Sequence, residues 1–199
     1  MSEGARVLVT GFSAFPGVAD NPTEFVVRAI ADAHWSPPGA AALRAVVLPT
    51  EYDAGGRLLD ATLAAFVPTV VLGFGVHAGA AEFRIECVAR NRIEAARPDN
   101  AGLCPPPRCI EDGAPASVAP TLDPVRLYDA VRAAGAPVRL SHDAGGYLCN
   151  FAFWRAAAWA RAADHAPRIG FVHVPPATDA AARATLLSAA KAAIAATLA

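Results

Sequence analysis

Charged side chains are scarce in this chain, at 18% of its 199 residues, and the formal net charge is only −1. With both signs interspersed, no field along the chain would gather nucleic acid or anionic lipid, so neither is an expected partner. Long apolar runs are missing too. A membrane-spanning helix takes about 20 predominantly apolar residues; the alanine-rich C-terminal stretch comes nearest, and Asp179, Arg183 and Lys191 interrupt it. Met1-Ser2-Glu3-Gly4-Ala5-Arg6 has no basic segment followed by a long apolar one, which argues against a secretory leader and for a cytoplasmic protein. Cysteines are few. Cys87, Cys104, Cys109 and Cys149 are therefore expected as reduced thiols. Cys104 and Cys109 stand too far apart for a zinc knuckle, with no second Cys or His pair nearby, so no metal is expected. There is no internal repeat, no GxSxG elbow and no Walker-type loop. Gly73-Phe74-Gly75 with Gly79 misses the dinucleotide fingerprint's spacing and leads into a strand-like stretch, so no organic cofactor is expected either.

What the chain does have is apolar material, 54% of its residues, enough for one core in a single domain spanning residues 1–199. Strand-like and helix-like segments alternate. Arg6–Thr10, Leu43–Leu48, Thr69–Phe74, Glu82–Ala89, Val138–Leu140 and Ile169–Val174 read as strands. Helices are expected from Asn21-Pro22 to before Pro37, over Tyr52–Phe66, from Asp123-Pro124, over Cys149–Ala163 and over Thr178–Leu198. The alternation argues for an α/β fold, a three-layer α/β/α sandwich around a mixed, largely parallel central sheet. Between Arg90 and Pro120 the composition shifts to Pro, Cys, Gly and Asp, a long irregular excursion of the kind that is often functional.

In open α/β sheets the ligand crevice lies beyond the carboxyl ends of the strands. Gly11-Phe12, Gly75-Val76-His77, Ser141-His142 and His173 all follow or end strands, so the expectation is that they share one edge. Cys149 comes after a glycine-containing loop and opens a helix, where free N–H groups and the positive dipole end favour a reactive thiolate and supply oxyanion donors. It is the candidate nucleophile, with a small buried structural thiol as the alternative. His173, at a strand exit and fixed by Val174-Pro175-Pro176, is the candidate base. Its rivals are His77 and His142, the latter close enough to Cys149 in sequence to shape the loop. Glu86 lies among apolar neighbours in a strand, so it either faces solvent or has a cationic partner; paired with His173 it would orient the imidazole.

Several segments together resemble the pyroglutamyl peptidase I (pyrrolidone-carboxylate peptidase) family. They are Val9-Thr10-Gly11-Phe12-Ser13-Ala14-Phe15 with Asn21-Pro22-Thr23, Glu86-Cys87-Val88-Ala89-Arg90-Asn91, Pro98-Asp99-Asn100, Ser141 through Asn150, and Phe171-Val172-His173-Val174-Pro175-Pro176. The resemblance spans nearly the whole chain and rests on order and spacing together. Cys104 to Cys109 with Glu111-Asp112-Gly113 is closer to animal-type members. The resemblance implies removal of N-terminal pyroglutamate (5-oxoproline) from small peptides by Cys149, His173 and Glu86 through a thioester, without metal or organic cofactor. It also implies that Phe12 and Phe15 flank the substrate ring, that Tyr147 and Leu148 line its far side, and that the backbone near Val76 and His77 meets the lactam. Three departures mark this chain: Val76-His77-Ala78-Gly79-Ala80 replaces a Gln and a Gly-Gly-Arg run, Cys87 replaces an Arg, and Arg97 stands one position later than the family's Arg. Two alternatives stay open, a thiol amidase acting on another small acyl or cyclic amide and a catalytically silent binding relative. An apolar strand or the proline-rich excursion is available for self-contact in a homo-oligomer.

Overall fold

A computed structural model describes residues 4–199. Along it run β1 (Ala5–Phe12), α1 (Pro22–Asp32), β2 (Ala40–Leu48), α2 (Tyr52–Phe66), β3 (Val70–Val76), β4 (Phe83–Glu86), β5 (Ala89–Arg90), β6 (Ser117–Val118), α3 (Pro124–Ala133), β7 (Val138–Ser141), α4 (Leu148–Ala162), β8 (Arg168–Val174) and α5 (Ala180–Ala196). Local chemistry sets several starts. Asn21 caps α1 by accepting from the Thr23 N–H at 3.0 Å, with Pro22 in the first turn. Asp123 caps α3 from the Val125 N–H at 2.9 Å, and Asp179 caps α5 from Ala182 at 2.8 Å.

Six strands form one sheet in the order β2-β1-β3-β8-β4-β7. Neighbours are parallel except β4 against β8, so the sheet is mixed and largely parallel. Helices α1, α3 and α5 cover one face, burying Val26, Ile30, Val131, Leu186 and Ile194 against Val7, Val9, Leu72 and Val172. Helices α2 and α4 cover the other, where Leu59, Leu63, Phe153 and Trp154 pack on Leu8, Val71 and Phe171. Each such large apolar side chain, fully buried, contributes roughly 1.5–3 kcal/mol. The result is the expected three-layer sandwich. Among the described residues no helix is long and apolar enough to cross a membrane.

Two expectations change. The single strand expected over Glu82–Ala89 breaks after Glu86: the Cys87 N–H still donates to the Ser141 carbonyl at 2.7 Å, but Ala89 and Arg90 turn away to pair with β6 in a separate two-stranded ribbon. The shared edge also holds only in part. β1, β3 and β8 end together, whereas β4 and β7 run opposite to β8, so Ser141-His142 leaves the sheet in the other direction. The loop after it turns back across the α4 face to deliver Ala144, Tyr147 and Leu148 to the same region as His173.

The excursion between Arg90 and Pro120 is irregular but tied down. Asn91 accepts from the Ile110 and Glu111 N–H groups, both at 2.9 Å, and donates to the Glu111 carbonyl at 2.7 Å. Asn150, fully buried beside Cys149, accepts from the Arg90 N–H at 2.9 Å and donates to the Arg90 and Arg92 carbonyls at 2.8 and 3.0 Å. Asp99 accepts from the Tyr52 N–H at 2.8 Å, capping α2 from a distant part of the chain, because the residue before that helix, Glu51, makes no side-chain cap. The excursion is thereby fastened both to the start of α4 and to the start of α2.

Candidate active site

Cys149 is the second residue of α4, whose first-turn N–H groups have no intrahelical acceptor before Phe151 donates to the Tyr147 carbonyl. Its sulfur lies over Gly75 of β3, the register neighbour of His173 on β8. A Cβ on Gly75 would come 2.6 Å from Cys149 Sγ and 3.0 Å from Phe171 Cζ. The bare backbone of Gly75 is therefore what lets the thiol sit beside the imidazole.

His173 and Glu86 are both buried, at 4% and 1% exposure, and His173 Nδ1 donates to Glu86 Oε1 at 2.7 Å. Of the two options for Glu86, the structure takes the paired one. The ring of His173 stands edge-on to Phe171, with centroids 5.2 Å apart. Burial works against the imidazolium, but the charge and hydrogen bond of Cys149, together with those of Glu86, outweigh it and push the His173 pKa up to about 9. With Nδ1 committed to Glu86, the ring's other nitrogen is the one left for the thiol.

Beside this group opens a cavity of about 130 Å³, walled by Phe12, Phe15, Val76, Arg97, Tyr147 and Leu148, with Cys149 and His173 at its floor. That is small against the roughly 300–1,000 Å³ of sites for drug-sized ligands. Asn21, Thr50 and Ala144 complete the wall. The sequence marks Asn21 as a helix start and as part of the family-like N-terminal segment rather than as a wall of this cavity, and nothing in the sequence singles out Thr50. Arg97, in the sequence simply a displaced arginine, lines the cavity as well. Its guanidinium lies over the rings of Phe15 and Tyr147, 4.7 and 5.1 Å from their centroids. The turn that carries it is pinned by the Tyr147 hydroxyl donating to the Pro98 carbonyl and by the Asn100 side chain donating to the Ala14 carbonyl.

His77 stands apart from the other expected contacts, since its side chain does not line this cavity. Its N–H donates to the Val174 carbonyl and its own carbonyl accepts from Ala80, both at 2.9 Å, so its backbone is occupied as well. Successive backbone groups on a strand face opposite neighbours. With His77 turned to β8, the N–H and carbonyl of Val76 face the other way, past the point where the β1–β3 register ends at Thr10 and Gly73.

A thiol at a helix N-terminus, beside a buried imidazole held by a buried carboxylate in an α/β sandwich, is the arrangement of a cysteine-type hydrolase. The chain belongs to the pyroglutamyl peptidase family, whose profile matches residues 5–196. A pyrrolidone-carboxylate peptidase from Gloeobacter violaceus is 39% identical over 171 residues, covering 85% of this chain and 81% of its own length. One from Pyrococcus furiosus is 32% identical over 170 residues, with 85% and 80% covered. Among solved structures, the pyrrolidone carboxyl peptidase of Thermococcus litoralis superposes with a TM-score of 0.87 at 26% identity, covering 98% of this chain and 93% of that one. A mutant of the Pyrococcus furiosus enzyme superposes at 0.89 and 28% identity, with 97% and 98% covered.

Proposed function

We propose that residues 1–199 act as one catalytic domain that removes N-terminal pyroglutamate from peptides, with Cys149 as nucleophile, His173 as proton carrier and Glu86 as the group that orients it. The observation that carries this reading is the 2.7 Å His173–Glu86 contact beside a thiol at the floor of a small aromatic cavity. The pyroglutamyl ring is small, flat and uncharged, and an apolar slot with a few backbone groups suits it. Phe12 and Phe15 flank the ring, Tyr147 and Leu148 close its far side, and the backbone of Val76 meets the lactam.

His173 takes the proton from Cys149 Sγ, and the sulfur attacks the carbonyl carbon that joins pyroglutamate to the next residue. The oxyanion is held by first-turn N–H groups of α4. As the C–N bond breaks, His173 passes its proton to the departing amine, leaving a thioester. Water then attacks the thioester with His173 as base, releasing pyroglutamate and restoring the thiol. All four cysteines are free thiols, which suits a reducing compartment, and we place the reaction in the cytoplasm.

The test is hydrolysis of a pyroglutamyl-coumarin amide across pH. The His173 pKa is raised above its ordinary 6.5 to about 9, so the proton needed by the departing amine stays in place until the pH passes about 9. The alkaline limb of kcat/KM is expected there, and a limb near 6.5 would contradict the coupling. Gly75→Ala supplies a second expectation. Its methyl would push Cys149 Sγ away, and a displacement of about 1 Å at a reacting atom costs about 100-fold in rate. Steady-state kinetics should show that loss in kcat with circular dichroism unchanged; undiminished kcat would mean that the thiol does not work from its position over Gly75.

A further inference from the structure

Resting on the peptidase reading above, we propose that a second cavity, on the opposite flank of His173 from the aromatic slot, receives the residue that follows pyroglutamate, and that Arg84 there selects a carboxylate. The strand order supplies the layout. Cys149 lies over β3, His173 on β8, and beyond it β4 and β7 carry Arg84 and Arg139. A general acid must reach the departing nitrogen, so the departing peptide lies on the His173 side of the scissile bond. On that side is a cavity of about 460 Å³, which shares His173 and Ala144 with the aromatic slot and is otherwise walled chiefly by His77, Arg84, Arg139, His142 and Asp143.

The walls hold one guanidinium with no acidic partner. Arg139 is paired with Glu82 at 2.9 Å, and Asp143 accepts from the Gly145 N–H at 3.1 Å. Glu86 is engaged by His173 through Oε1, and its Oε2 is buried without a partner in the chain. Arg84, directly opposite His173 in the β4–β8 register, has His77 as its partner, Nη1 to Nε2 at 2.8 Å, and among the described residues no carboxylate. His77 is disfavoured as a cation by burial and then by Arg84 and His173. It therefore accepts through Nε2 and carries its hydrogen on Nδ1. Both His77 Nδ1 and Arg84 Nε are buried without a partner in the chain. The guanidinium of Arg84, half-buried on this wall with its charge uncompensated, matches an acceptor that carries negative charge. The carboxylate can come from an acidic side chain after pyroglutamate or from the C-terminus of a pyroglutamyl dipeptide.

The experiment compares kcat/KM for pyroglutamyl-Glu-amide, pyroglutamyl-Gln-amide and pyroglutamyl-Lys-amide, and for pyroglutamyl-Ala with a free or an amidated terminus. A charge-assisted hydrogen bond at a half-buried group should favour the carboxylate about tenfold. A Glu-over-Gln preference assigns it to the side chain, and a free-over-amidated preference to the terminus. Arg84→Gln should bring the ratio to about one, and Arg84→Glu should turn it towards Lys, an inversion that a merely structural role cannot produce. The wild-type panel tests the inference even if a variant folds poorly. Equal rates for all five peptides, alongside good hydrolysis of the coumarin amide, would overturn it. A preference that survives Arg84→Glu would do the same. If the coumarin amide itself is not cleaved, the peptidase reading fails first and this one falls with it.

Discussion

Cys149→Ala is expected to lower hydrolysis of a pyroglutamyl-coumarin amide by about 10⁴-fold or more, the scale on which a covalent nucleophile's removal is felt. No neighbouring thiol can replace it. Cys87 turns its sulfur to the Ile85 carbonyl at 3.6 Å, and burial pushes its pKa up; Cys104 turns to the Ala95 carbonyl, also at 3.6 Å. Circular dichroism should stay unchanged, because the side chain is only half-buried and sits at the rim of the core. The loss should also register in His173. Cys149 is the largest of the influences that raise that pKa, so an imidazole titration followed by NMR should move down from about 9 in the variant. Retained activity, or a titration that does not move, would separate the thiol from the imidazole.

Glu86→Gln should cut kcat/KM by about 100-fold or more while keeping the side-chain volume, since acid–base catalysis by a positioned group contributes roughly 10²–10⁴-fold. The amide can still accept from His173 Nδ1, but the negative charge that favours the imidazolium is gone. The alkaline limb should therefore move from about 9 to lower pH. Stability follows the same sign. A proton held more tightly in the folded state than in the unfolded one contributes stability that is complete below pH 6.5 and lost as the pH rises through about 9. The variant should thus lose most in acid-to-neutral solution and little above pH 9, a difference that thermal melts across pH can read. A uniform loss at every pH would point to packing instead.

Much of the fold was legible because local chemistry and tertiary packing agree. Tyr52–Phe66 runs as a helix over the expected span, and Asp123 with Pro124 starts α3 as their types demand. The burial of Glu86 was not legible. Phe83 and Ile85 of β4 enter the core, which leaves Arg84 and Glu86 on the other face, and alternation alone does not tell a polar face turned to a buried site from one turned to solvent. The direction of β4 is not legible either: a parallel and an antiparallel strand of four residues look alike in sequence, and the reversal shows only in the pairing with β8. Cys149 and His173 were legible as chemistry-bearing residues at a helix start and a strand end. Their union depends on Gly75, which in the sequence looked like a fragment of a nucleotide loop. His77 is marked in the sequence by its strand end, and by the resemblance only through its backbone. Its partner, Arg84, is seven residues away and meets it only because the chain reverses between β3 and β4.

The most direct test of the central claim is mass spectrometry after inactivation with a pyroglutamyl chloromethyl ketone, which carries the ring into the aromatic slot and alkylates the nucleophile beside it. One equivalent on Cys149 is expected, with activity lost in step with labelling and protection by a pyroglutamyl peptide. Label on Cys87, Cys104 or Cys109, or full activity after Cys149 is modified, would contradict that claim.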